Sequence, residues 1–495
     1  MTGPNRNRPI PIPGSLTPVH AEPTGGTMNQ QSDLPIGIFR TYDIRGIVEE
    51  DLTVERIRQI GLGLGIHLAE GNARQIVVGH DVRESSPRFA EAVTEGLCSA
   101  GLDVIEIHDV PTPVLYWAVK HLNCDGGVMI TGSHNPINYN GLKITRGLYP
   151  IWGDELQLLH GKCLTASPVE NPGSRSSRNI LADYLASRVE RFSFPEGFKV
   201  AIDCGNGTAG PVILPLFEKL GIEVDALYAE PDGTFPNHLP DPEVPKYMKA
   251  LCDLVAEGDY ACGFGFDGDS DRVGLIDENG QKISADLLLL AFARHLLKEV
   301  PGGKIIFDVK CSDDIEPAIV EAGGEPILSK TGHSIIKEKM RETGAILAGE
   351  LSGHICVNHK GDGFDDAFFA ALLTLEIMAQ NDCKCSDLFA DIPVKVSTPE
   401  VKIPVSEEHK FGVVDDLIDH FRSDAQGGKL VDLDGVRLSF PDGWMLIRAS
   451  NTTANLTARI EGQDRAALVR IGAIVESALT GQPVDLSALH EALAE

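Results

Sequence analysis

Three stretches of this chain repeat one plan, and that repetition constrains the fold more than any other feature. The first runs from Gln75-Ile76-Val77-Val78-Gly79, through a helix beginning near Pro87, to Asp103-Val104-Ile105-Glu106-Ile107. The second starts at Lys199-Val200-Ala201-Ile202-Asp203, passes a helix opened by Pro211 and reaches Ile222-Glu223-Val224. The third joins Lys304-Ile305-Ile306-Phe307-Asp308 through Ile315–Ala322 to Pro326-Ile327-Leu328. Short continuous apolar strands alternating with helices read as βαβ units around mixed or parallel sheets. The tail differs: Val436–Phe440, Trp444–Arg448 and Asn455–Ile460 read as antiparallel strands, with a helix over Arg465–Leu479. The fold class expected is therefore α/β, with four domains around a central cleft: three similar βαβ-type mixed-sheet domains and a C-terminal α+β domain.

The 495 residues accommodate three or four domains at about 100–200 residues each. Punctuation by Pro, Gly and Ser places them at 35–172, 173–300, 301–397 and 398–495. Residues 1–34, rich in Pro, Gly and Asn and without a continuous apolar run, read as a disordered extension rather than a secretory signal.

The formal net charge of −29 repels nucleic-acid phosphates and anionic lipid, so neither nucleic acid nor membrane is expected as a partner. A small anionic substrate would need a site where Arg, Lys, backbone N–H groups or a metal reverse that field. No apolar run is long enough to cross a bilayer. The 10 cysteines form no C-x-x-C pair, and Cys383 and Cys385 are too isolated to suggest zinc. That pattern suits a reduced compartment, and the expected location is cytoplasmic.

Four loops carry chemistry-bearing side chains. In Thr131-Gly132-Ser133-His134-Asn135-Pro136 a strand runs into a tight polar loop, and Ser133 lacks the G-x-S-x-G setting of an esterase nucleophile. Downstream, Asn140-Gly141-Leu142-Lys143 can return an ammonium to that loop. Taken alone, such a loop also suits a capped structural turn. Asp267-Gly268-Asp269-Ser270-Asp271-Arg272 places three carboxylates at alternate positions, a density of oxygen ligands that suits a hard cation such as Mg²⁺. An EF-hand competes, because Glu278 falls at the twelfth position, but Arg272 stands where that loop needs Gly and the flanks read as strands. Glu350-Leu351-Ser352-Gly353-His354 offers a carboxylate, a hydroxyl and an imidazole to one side of an extended loop, partners for a polyol. Arg448-Ala449-Ser450-Asn451-Thr452-Thr453 combines a guanidinium with hydroxyls and an amide, groups able to grip a phosphate. Arg40 and Arg45, Lys310 at a strand end, and His333 in Thr331-Gly332-His333-Ser334 are further candidates, for which surface ion pairing is the simpler explanation.

In order and spacing, TGSHNP, DGDSDR, GELSGH and RASNTT resemble the α-D-phosphohexomutase superfamily from about Phe39 to the C-terminal helix. GELSGH together with KTGHS resembles its phosphomannomutase/phosphoglucomutase branch. The resemblance implies that Ser133 is a phosphorylated nucleophile supported by His134 and Asn135, with Lys143 a proton-transfer candidate. It implies Mg²⁺ held by Ser133, Asp267, Asp269 and Asp271, with Arg272 and His354 near the transferred group. Arg45, Lys310, His333, Glu350 and Ser352 would bind the sugar phosphate, and Arg448, Ser450, Asn451 and Thr452 would anchor the phosphate that is not reacting. The implied partners are hexose phosphates, the activator a hexose 1,6-bisphosphate, and the assembly a monomer or weak dimer. Ala454 departs from the family, which often has Pro there. Phosphoglucosamine mutase and a Mg²⁺-dependent sugar-phosphate phosphatase are the alternatives.

Overall fold

A computed structural model of the chain describes residues 34–195, 197–450 and 453–494. Residues 1–33 of the expected extension, and Asn451 and Thr452 of the expected phosphate loop, lie outside the described residues. Leu34, expected to belong to the extension, is instead buried in the first domain's core with Ile38 and Phe39.

The three α/β sheets share a topology as well as a sequence plan. In the first, Gln75–His80 lies parallel to Asp103–Asp109 on one side and to Gly126–Ile130 on the other, and Tyr139–Arg146 returns antiparallel beside Gly126–Ile130. The second repeats this with Lys199–Asp203 between Glu223–Leu227 and Cys262–Phe266, and Val273–Ile276 returning. The third does so with Lys304–Asp308 between Glu325–Ser329 and Leu347–Gly349, and Ile355–Val357 returning. Loops 131–138, 267–272 and 350–354 are thus the same connection, leaving the carboxyl end of a parallel strand for an antiparallel return. Open α/β sheets bind ligands at such ends. Every residue of Gly126–Ile130 and of Cys262–Phe266 is buried, as strands covered on both faces require. Pro87, Pro113 and Pro211 sit in the opening positions of their helices, where the missing N–H costs nothing.

The fourth sheet is antiparallel throughout, built on Asn455–Gly462, Gly443–Ala449 and Val436–Phe440 with Lys429–Val431, Val396–Ser397 and Val401–Pro404 at its margins. Two short strands lie across the expected borders. Arg175–Ser177, past residue 172, pairs with the first sheet, and Val396–Ser397, before residue 398, pairs with the fourth.

One apolar core runs through the first three domains, joining Leu115 and Trp117 to Phe217 and Phe264 and on to Phe292 and Phe368. The fourth domain has its own core of Met445, Ile447, Leu456 and Ile471. It meets the third at a small cluster of Val309, Trp444 and Leu446. Around that cluster the contacts are polar: Arg437 donates to the carbonyls of Val309 and Cys311, and Ser312 Oγ to Glu461 at 2.5 Å. Among the described residues no helix is long and apolar enough to cross a membrane.

Candidate active site

The four loops converge on one cleft of about 520 Å³, within the size range of small-molecule sites. Ser133, His134, Asn135, Lys143, Arg272 and His354 line it together with Arg45, Lys310, His333, Glu350, Ser352, Arg448 and Ser450. Five of those side chains, Arg45, Lys143, Arg272, Lys310 and Arg448, are cationic. They supply the local reversal of field that a net charge of −29 demands of an anion site.

Ser133 follows the strand Gly126–Ile130 in a left-handed conformation, φ +48°, uncommon for a residue with a side chain. Its N–H donates to Thr131 Oγ1 at 2.8 Å, and its Oγ lies 2.9 Å from Asp267 Oδ2 and 3.1 Å from His134 Nδ1. Asn135 faces back into the loop, its Nδ2 donating to Gly132 O at 3.1 Å. The metal loop comes within contact of this backbone because residue 268 is glycine: a Cβ there would lie 2.5 Å from Ser133 O.

Asp267, Asp269 and Asp271 each turn a carboxylate oxygen to one point, within 4.8 Å of one another, and none is exposed. Oδ1 of Asp269 and Oδ1 of Asp271 are buried without a hydrogen-bond partner among the described residues. A donor set of carboxylates with orphaned oxygens fits a hard divalent cation. Lys143, on the return strand, reaches behind the cluster to Asp269 Oδ2 at 2.6 Å and Asp271 Oδ2 at 2.5 Å. Burial alone would lower the Lys143 ammonium, but those two carboxylates outweigh it and hold the pKa above the usual lysine value. Burial likewise opposes ionisation of Asp269, yet Lys143 and the Thr112 hydroxyl keep that carboxyl well below the usual range. Asp267 is pushed the other way, first by burial and then by repulsion from Asp269 and Asp271. A cation at the site would relieve that repulsion.

Arg272 ends the loop, its Nε donating to His354 Nε2 at 2.9 Å. Glu350 Oε1 accepts from the N–H of Gly332, and Ser352 Oγ sits 3.4 Å from Glu350 Oε2. Burial raises the Glu350 carboxyl, and burial beside Lys337 lowers His333 well below the usual histidine value. Lys310 projects from the end of Lys304–Asp308 to Glu400 Oε2 at 3.2 Å and Glu243 Oε1 at 3.8 Å. Arg448 Nε donates to Asp434 Oδ2 at 3.0 Å, and Lys410 donates to both Ser450 O at 2.7 Å and Thr453 O at 3.2 Å. Arg45 lies beside the Ser133 loop, its Nη1 donating to Gly132 O at 3.3 Å.

The sequence reading missed the supports. Arg83 is fully buried and donates to the carbonyls of Ser133, Asn135, Pro136 and Tyr139, while its Nε lies 3.4 Å from Asp81. A Cβ on residue 132 would meet that guanidinium at 2.3 Å, so Gly132 is required for the packing. Thr112, Asp365, Glu243 and Glu400 were missed as well, and no local motif marks any of them. Asp365 and its neighbour Asp366 follow a Gly-Phe pair that reads as an ordinary helix entry, and Asp366 indeed caps the helix Ala367–Asn381.

Comparison with known proteins covers most of the chain. The family description "Phosphoglucomutase/phosphomannomutase, alpha/beta/alpha domain I" matches residues 37–148, domain II 182–280, domain III 284–396 and the C-terminal domain 400–477. A phosphomannomutase/phosphoglucomutase of Pseudomonas syringae pv. tomato is 42% identical over 92% of this chain and 97% of its own. A phosphoglucomutase of Neisseria meningitidis is 40% identical over 89% and 97%. The crystal structure of a phosphoglucomutase/phosphomannomutase family protein from Burkholderia thailandensis superposes with a TM-score of 0.84 at 38% identity, covering 90% of this chain and 97% of that one.

Proposed function

Because the chain belongs to the phosphoglucomutase/phosphomannomutase family, we propose that it moves a phosphate reversibly between the 1- and 6-positions of mannose or glucose phosphate through a phosphoserine at Ser133. The observation that carries this is the 2.9 Å contact between Ser133 Oγ and Asp267 at the edge of a buried carboxylate cluster, facing a cationic cleft. Mg²⁺, held by Asp267, Asp269, Asp271 and Ser133, would neutralise charge on the transferring phosphoryl group.

The chain's own residues do the rest. The phosphorus–oxygen bond to Ser133 breaks as a free sugar hydroxyl bonds to phosphorus and its proton ends on the freed Ser133 Oγ, giving a hexose 1,6-bisphosphate; after that intermediate turns over, its other phosphate returns to Ser133, whose hydroxyl proton ends on the freed sugar oxygen. The same bisphosphate, supplied in trace, would prime an unphosphorylated Ser133 and so act as activator. Lys143, kept as an ammonium by its two carboxylates, serves as fixed positive charge beside the reacting phosphate. Arg272 adds a second. Glu350 and Ser352, side by side on one loop, take sugar hydroxyls, with His333, Lys310 and Arg45 placing the sugar phosphate. Arg448 and Ser450 hold the distal phosphate, and Asn451 and Thr452, which follow them in sequence, are proposed to join them. All ten cysteines are free, which supports a reducing, cytoplasmic setting.

The test is a coupled assay of mannose 1-phosphate and glucose 1-phosphate with Mg²⁺ and a trace of glucose 1,6-bisphosphate. Wild type should form the 6-phosphates, and Ser133→Ala should lose at least about 10³-fold in kcat. Release of inorganic phosphate without isomerisation would instead make the protein a phosphatase.

A further inference from the structure

Resting on that reading, we propose that Asp365 is a positioning residue: it fixes the tautomer of His354, and through His354 it aims the Arg272 guanidinium at the phosphate on Ser133. Asp365 is wholly buried behind the third loop and does not line the cleft.

The argument begins at Arg272. A guanidinium can only donate, so His354 Nε2, 2.9 Å from Arg272 Nε, must present its lone pair. The proton of the neutral ring then sits on Nδ1. That nitrogen lies 3.0 Å from Asp365 Oδ2 and 3.6 Å from Asp271 Oδ1, within reach of charge attraction although it makes no hydrogen bond among the described residues. A carboxylate this close to Nδ1 attracts the proton there and stabilises this tautomer. Asp271, His354 and Asp365 also lie within 4.8 Å of one another, but an Nδ1 that carries a proton has no lone pair for a metal.

Asp365 is itself fixed. Its Oδ1 accepts from Lys337 Nζ at 2.9 Å, and that ammonium lies over the Tyr116 ring, 4.5 Å from its centroid. His333 stacks on His354 with ring centroids 5.2 Å apart, so the imidazole cannot swing without displacing its neighbour. At the other end, Arg272 and His354 are joined by an antiparallel backbone bridge, which sets their side chains at one spacing. With Nε engaged, the terminal nitrogens of Arg272 form no hydrogen bond among the described residues and remain for a bidentate grip on phosphate. In the opposite tautomer, Nε2–H would point at Nε–H and the guanidinium would be driven from its place.

Asp365→Asn tests this cleanly. Lys337 needs an acceptor, so it retains the amide oxygen, and the amide NH₂ then faces His354 Nδ1 and favours the wrong tautomer. The Mg²⁺-loaded protein, labelled with ¹⁵N in its histidine rings, would be examined by long-range ¹H–¹⁵N correlation, with His354 assigned by loss of its signals in His354→Gln. Wild type should show Nδ1 protonated and Nε2 bare; Asp365→Asn should show the reverse. Its kcat should fall about 10- to 100-fold while KM stays within about threefold. A purely structural role would lower thermal stability without reversing the ring. Nε2 protonated in wild type overturns the proposal even if the variant does not fold, as does an unreversed ring or an unchanged kcat in a folded variant. Wild type without mutase turnover would sink the functional reading instead, and the tautomer would still be legible.

Discussion

The Ser133 loop and the segment from Arg448 to Ser450 line the same cleft, yet they are held in different ways. The first is locked from behind: Arg83 gathers three of its carbonyls and that of Tyr139 just after it, Asp81 Oδ2 accepts from the Gly132 N–H at 3.0 Å and the Thr131 hydroxyl at 2.8 Å, and the Asp267–Arg272 loop abuts its backbone. The second is fastened by Lys410 and by the Arg448–Asp434 pair, on a domain with its own core and a small apolar contact with the third. Phosphoryl transfer needs the attacking and leaving oxygens in line to within fractions of an ångström. On the proposed mechanism the Arg448 side would accept either end of a bisphosphate, which needs positive charge more than a fixed geometry. The difference teaches that rigidity is concentrated in the loop where the proposed reaction would change bonds.

Arg83→Lys should break this contrast most severely. Three donors on a flexible stem cannot replace a planar fork serving four carbonyls, so we expect a loss of about 3 kcal/mol in stability. A fall in kcat of at least about tenfold should accompany it. Thermal unfolding and steady-state kinetics read the two separately, and an unchanged kcat would mean the loop is held by other contacts. Arg448→Met should act on the opposite wall by raising KM about tenfold, the worth of one charged hydrogen bond, with a smaller effect on kcat. A loss confined to kcat would place Arg448 among the reacting groups and erase the distinction.

The smallest effect concerns the second domain, behind the metal loop. His238 Nε2 lies 3.0 Å from Asp203 Oδ2 and its Nδ1 2.9 Å from Leu239 O, both acceptors suited to a protonated ring. Burial opposes protonation, but the Asp203 carboxylate and the Leu239 carbonyl outweigh it and raise the pKa above the usual histidine value. A raised folded-state pKa gives stability that is full below the unfolded value of about 6.5 and is lost as pH rises through the folded value. The difference in melting temperature between wild type and His238→Gln should therefore shrink between about pH 6 and pH 9. A difference that grows with pH would show that the ring is held neutral.

Much of the fold was legible because its signals are local. Short apolar runs, such as Ile305–Phe307 within Lys304–Asp308, declare buried strands, and Pro87 or Pro211 marks a helix entry within a residue. The three carboxylates at alternate positions from Asp267 needed no partner from elsewhere to suggest a cation. Leu34 escaped because its burial depends on a core formed by distant helices, and Arg175–Ser177 because an exposed Arg-Ser-Ser strand carries no apolar pattern. Arg83 escaped for a like reason: its acceptors lie 50 to 56 residues away, on a loop that it meets only after the sheet forms.

The sequence by itself determined which side chains could do chemistry and on which kind of loop each would lie, since spacing and strand ends are properties of a few neighbouring residues. Tertiary structure alone decided that these loops share one cleft, that Lys143 is held as an ammonium between Asp269 and Asp271, and that His354 is flanked by Arg272 and Asp365. Charge state and tautomer are set by what lies within a few ångströms, and those neighbours come from distant parts of the chain or, for Lys143 and Arg272, from another domain.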